Sequence, residues 1–93
     1  MHSDSQPKID IEEFLLIVLG TLCDHAEQLR VVISNDEKGV LIQIYSAPED
    51  WGRIIGKKGS TIQSLRNLCH VIGQKNNAHY SLKVITDNQN GNA

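Results

Sequence analysis

Gly52-Arg53-Ile54-Ile55-Gly56-Lys57-Lys58-Gly59-Ser60-Thr61 is the stretch on which the fold turns. Two glycines bracket two lysines, and apolar residues at helical spacing lie on both sides. Glycine lets the backbone bend sharply and lets a ligand chain come close, because no Cβ stands in the way. A helix starting near Ser60 opens with unpaired N–H groups and the positive end of its dipole, a natural anion site. Lys57 and Lys58 add charge there, and Ser60 and Thr61 add hydroxyl donors. Two lysines on one bend suit a chain of successive phosphates better than a single compact anion. A nucleotide-binding P-loop is excluded, since it needs G-x-x-x-x-G-K-[ST] directly after a strand. Here Gly52 and Gly56 stand one residue too close, Lys58 takes the Ser/Thr position, and a helix precedes.

Working toward the C-terminus, Ile62, Leu65, Cys69 and Ile72 share one side of a helix from about Ser60 to Gly73, with Leu68 widening the stripe. Residues 80–85 then alternate as a strand, with Tyr80, Leu82 and Val84 facing inward. Working toward the N-terminus, Ser46 and Glu49 read as a capping box. Pro48 fits the first turn of a short helix over about 48–55, stopped by Gly56. Before it, residues 29–34 and 40–45 are two β-branched runs joined by the turn residues 35–39, a hairpin. Val31 and Ile33 then share a face with Val40, Ile42 and Ile44. Ile11, Phe14, Leu15, Val18 and Leu22 predict an amphipathic helix over about 10–26, and Asp10, Glu12 and Glu13 suit its dipole. Leu16, Ile17 and Leu19 lie partly off that stripe. The order is α-β-β-α-α-β: one α+β domain over 9–86, with polar, disordered segments at 1–8 and 87–93.

The charge is lopsided. Of the 93 residues, the first fifty carry three Lys/Arg against ten Asp/Glu, a net of −7. The remainder carry six (Arg53, Lys57, Lys58, Arg66, Lys75, Lys83) against Asp87 alone, a net of +5. The overall −2 excludes a generally basic nucleic-acid coat but leaves room for a local basic site. The apolar run 14–19 falls short of the about 20 residues of a membrane span. Its acidic flank does not fit a signal peptide. Cys23 and Cys69 form no CxxC, which points to reduced thiols and a cytoplasmic protein. Neither a metal site nor a cofactor is expected: Cys23/His25 and Cys69/His70 lack ligand spacing, and His2 and His79 read as surface residues. No nucleophile–base–orienter set suggests an enzyme. Phe14, Tyr45, Trp51 and Tyr80 form no strand-borne stacking platform, and Trp51 is read as packing its helix onto the core.

With element order and loop together, the chain resembles the KH family. Ile55-Gly56-Lys57-Lys58-Gly59 matches that family's I-G-x-x-G loop, which grips the backbone of about four single-stranded nucleotides. The late position of the loop matches type II KH domains: a three-stranded sheet with helices packed on one face. More narrowly, the Gly52…Gly59 and Thr61…Arg66 run resembles small stand-alone bacterial KH proteins of the KhpA type. The resemblance implies an RNA site of Arg53, Ile55, Gly56, Lys57, Lys58, Gly59, Ser60 and Thr61. In it one of Ile54 and Ile55 anchors the helix and the other floors the groove beneath the bases, a part given to Ile55 as the nearer to the loop, while Arg66, farther along the second helix, either joins the site or is solvated. That family often has a basic residue where this chain has Ser60, so few phosphate contacts and modest affinity are expected. The resemblance also implies an RNA chaperone or post-transcriptional regulator that pairs with itself or with a larger KH-containing protein. The alternative is an interaction or dimerisation module with little RNA affinity, using Leu16, Ile17 and Leu19 or an outer sheet face with Leu41, Tyr45 and Ile85.

Overall fold

Asp10 starts the fold by capping a helix. In a computed structural model that describes residues 10–86, its carboxylate accepts the Glu12 and Glu13 amides at 3.1 and 3.2 Å. It thereby satisfies two donors that a helix start leaves open. The disordered segments expected at 1–8 and 87–93, and His2, lie outside the described residues. Six main elements follow: α1 (Ile11–Leu22), β1 (Arg30–Asp36), β2 (Gly39–Tyr45), α2 (Trp51–Ile55), α3 (Ser60–Asn76) and β3 (Tyr80–Val84). Short 3₁₀ turns lie at Ala26–Gln28, Pro48–Asp50 and Lys57–Gly59. This is the expected α+β order with a three-stranded sheet. No helix among the described residues is long and apolar enough to cross a membrane.

The sheet is mixed, with β2 in the middle. β1 runs antiparallel to β2 with Val31 opposite Ile44 and Ile33 opposite Ile42; β3 runs parallel to β2 with Ile42 beside Leu82 and Ile44 beside Val84. These side chains share one face because strand residues alternate sides. The core joins Ile42, Ile44, Leu82 and Val84 to Ile11, Leu15 and Leu19 of α1, Ile54 of α2, and Ile62, Leu65, Cys69 and Ile72 of α3. Burying each such aliphatic side chain contributes about 1.5–3 kcal/mol. β1 contributes least, with Val31 half-buried and Val32 and Ile33 exposed. The hairpin turn is also tighter than expected, since the ladder continues to Asp36 opposite Gly39.

Three boundary readings change, and the structure decides the burial of two leucines. The capping box does not form: Ala47 occupies the N-cap position and the Ser46 hydroxyl donates to the Ala47 carbonyl. α1 ends at Leu22 rather than near 26, because the Asp24 and His25 amides are drawn off by the Asp50 carboxylate. α3 passes Gly73 and stops at Asn76, with Asn77 taking the left-handed cap (φ 56°). Gly73 is needed for space: a Cβ there would lie 2.5 Å from the Ala78 carbonyl oxygen where the chain folds back toward β3. Of the α1 residues that fit either the core or a surface patch, Leu19 is core and Ile17 is exposed, whereas Leu68 is half exposed instead of widening the core stripe.

Candidate nucleic-acid interface

α2 lasts only five residues because Gly56 leaves helical space at φ 82°, ψ 170°. Glycine is required there twice over. A side chain would be strained at that φ, and a Cβ would lie 2.6 Å from the Thr61 Cβ and 2.7 Å from its amide nitrogen. The Gly59 amide then donates to the Gly56 carbonyl at 3.0 Å, and the Ser60 amide donates to the Lys57 carbonyl. Between them Lys58 (φ 55°, ψ 27°) and Gly59 (φ 77°, ψ 14°) are both left-handed. Those angles are those of a type I′ turn. Gly59 differs from Gly56 in that nothing lies near where its Cβ would be; only its φ favours glycine. Lys58 holds the same conformation with a side chain, a strain of about 1–2 kcal/mol.

This turn sets α3 going with its first amides toward the bend. Lys57 and Lys58 are exposed and pair with no acidic side chain among the described residues. Ser60 is exposed, while Thr61 is half-buried beneath Gly56. Ile54 is fully buried, and Ile55 is half-buried and packed against the core. Trp51 is half-buried, and its enclosed indole N–H finds no acceptor among the described residues. Arg66 is not simply solvated. Its Nε and Nη2 both lie 3.4 Å from the Leu82 carbonyl oxygen. The His79 carbonyl and Ile85 amide bond to β2, so by alternation the Leu82 amide and carbonyl face the sheet's open edge. Arg66 therefore links α3 to the edge of β3.

Behind α2 lies a polar centre that no sequence motif signals. Asp50 has no exposed surface, and its two carboxylate oxygens accept the Asp24 amide at 2.8 Å and the His25 amide at 2.9 Å. The Asp24 amide, more than any other group, holds the Asp50 carboxyl below its ordinary pKa, against the opposing effect of burial. Arg53 completes the cluster: Nη2 lies 2.9 Å from an Asp24 oxygen and Nε 3.7 Å from Asp50. The sequence places Arg53 with the loop cations, and the structure places its guanidinium between two carboxylates. Cys23 borders the same centre, its thiol pKa raised by burial and then by Asp50. No cluster of metal-ligating side chains occurs among the described residues.

The sequence matches the family model described as KhpA/KhpB, KH domain, over residues 12–84. It is similar to the RNA-binding protein KhpA of Listeria monocytogenes, 29% identical over 75 residues that cover 81% of this chain and 99% of that one. The RNA-binding protein KhpA of Chlamydia pneumoniae is 30% identical over 77 residues, 83% of this chain and 99% of the relative. That of Leifsonia xyli is 37% identical over 51 residues, 55% of this chain and 67% of the relative.

Proposed function

Because this chain belongs to the KhpA/KhpB KH-domain family, we propose that it is an RNA-binding protein that grips single-stranded RNA with the Gly56–Gly59 turn. The observation that carries this is a pair of exposed lysines without acidic partners among the described residues, set on a type I′ turn at the start of a 17-residue helix. Lys57 and Lys58 face successive phosphates. Gly56 and Gly59 shape the turn, and the Ser60 and Thr61 amides add donors at the helix start. Ile55 offers an apolar surface beneath the bases. Two or three phosphate contacts on a single strand correspond to a slope of log K against log salt of about −1.4 to −2. Replacing Lys57 and Lys58 together by Asp lowers affinity about a hundredfold with little change in Tm, because both side chains are exposed. Filter binding with short single-stranded RNA, together with the Gly56 and Gly59 amide signals in an NMR titration, checks this. Amide signals that stay fixed in excess RNA would falsify it.

The reading extends to a cytoplasmic RNA chaperone or post-transcriptional regulator acting in pairs, with itself or with a larger KH-containing protein. Pairing two weak RNA sites on one strand raises affinity through effective concentration. The exposure of Leu68 and Val71 one turn apart on α3, with Ile17 exposed on α1, supports an apolar contact surface. Sedimentation at varied concentration tests pairing separately from RNA. A chain that pairs but retains no RNA at low salt is an interaction module instead.

A further inference from the structure

Three cations lie within six residues of one another at the α2–α3 bend: Arg53, Lys57 and Lys58. Arg53 precedes Gly56 by three helical residues, a rise of about 4.5 Å, so its charge is near enough to act on the same phosphate chain. Yet its surroundings differ from those of the lysines. Asp24 binds it directly at 2.9 Å and Asp50 stands 3.7 Å from its Nε. Two carboxylates around one guanidinium make the local charge −1 where the loop's composition alone suggests +1.

We propose that Asp24 is a built-in brake on RNA affinity: it holds Arg53 and cancels the third cation of the bend. This rests on the RNA-binding reading above. Asp24 is aimed by the fold, because its own amide is fixed at 2.8 Å on the buried Asp50 carboxylate. The side chain of Asp24 is 65% exposed and that of Arg53 54% exposed, so their attraction is screened by water and easily contested. Asp50 is different: it is enclosed and bound to two amides, and so it is structural. Asp24 is thus the one carboxylate of the pair that can be removed without dismantling the loop. Its removal leaves Arg53 facing only Asp50 and free to reach a phosphate.

The test compares RNA affinity and its salt dependence in Asp24→Asn, in Asp24→Asn/Arg53→Gln, and in Glu27→Gln. Glu27 carries the same charge three residues away but lies by His25 and not by Arg53. Asp24→Asn tightens binding about three- to fivefold, and its salt slope steepens by about 0.7, one further phosphate on a single strand. The double variant loses both gains, and Glu27→Gln shows neither. An equal gain in Glu27→Gln, or a gain that survives Arg53→Gln, overturns the brake, as does an unchanged slope in Asp24→Asn. Lys57→Ala/Lys58→Ala separates the brake from the site it acts on. If it abolishes binding while Asp24→Asn has no effect, the RNA site stands and the brake falls. If neither the natural chain nor Asp24→Asn binds at the lowest salt, both fall.

Discussion

Arg53 and Lys57 are four residues apart, yet they belong to opposite electrostatic settings. On the N-terminal side of Gly56, Arg53 is tied into a network with Asp24 and the enclosed Asp50. On the C-terminal side, Lys57 and Lys58 project from a turn with no carboxylate partner among the described residues. The difference comes from backbone geometry. α2 keeps Arg53 against the loop after α1, and the break at Gly56 ends that helix before the lysines begin. Counting cations along the chain overstates the charge that a ligand meets. What matters is which of them the fold has already neutralised.

The strongest way to break the comparison is to empty the networked side. Asp50→Ala leaves the Asp24 and His25 amides without their acceptor and takes from Arg53 the farther of its two carboxylates, and it lowers Tm more than any substitution at the bend. A pH series reads the same group. The folded carboxyl pKa is lowered, chiefly by the Asp24 amide. Its stabilisation is complete above the ordinary aspartate value and is lost as pH falls through the folded one. Asp50→Asn flattens that acid limb of a Tm–pH profile, whereas Lys57→Asp leaves it in place.

Next in size is the contrast between the two loop glycines. Gly56→Ala meets both an unfavourable φ and the Thr61 backbone, and it costs about 2–4 kcal/mol in urea unfolding. Gly59→Ala meets only the φ and costs about 1 kcal/mol. Equal costs would show that crowding against Thr61 is unimportant. Lys58→Gly sharpens the open side: it relieves a left-handed side chain and stabilises by about 0.5–1 kcal/mol, while RNA affinity falls by a few-fold.

The smallest effect is chemical. Burial pushes the Cys69 thiol up to about 11, so it resists alkylation at neutral pH in the folded protein. Cys23 is half-buried and its pKa is raised partly by Asp50, so it reacts slowly, but faster than Cys69. Asp50→Asn speeds Cys23 and leaves Cys69 unreactive, as mass spectrometry of alkylated protein would show. That result separates the local electrostatics from general loosening.

Most of the fold is legible because its signals are local and periodic: apolar spacing in α1 and α3, β-branched alternation in β1, β2 and β3, and glycine at the bend. The same local reading fails where a distant partner decides. Ser46 and Glu49 have the pattern of a capping box, while Asp50, one residue later, is the carboxylate that matters; it binds amides 25 and 26 residues earlier. Gly73 has the look of a helix end, but the constraint on it is the approach of Ala78. Leu68 fits the helical stripe on paper, yet it is half exposed while Leu65, Cys69 and Ile72 fill the core side of α3. The proposed site residues all fall within 53–61 and are therefore easy to collect. The pairing of Arg53 with Asp24 is not, since nothing in a linear charge pattern reports which side chains meet.

The parallel pairing of β2 and β3 has one further consequence. Val40 and Tyr80 are neighbours in the sheet but 40 positions apart in the chain, and both loop helices lie in the crossover between them. Parallel strands require such a crossover. During synthesis on the ribosome, the bend therefore emerges before the last strand that anchors α3, and contacts of such long separation form late. Grip on RNA, in the proposed reading, is accordingly a property that nascent chains acquire only once Leu82 and Val84 have docked beside Ile42 and Ile44.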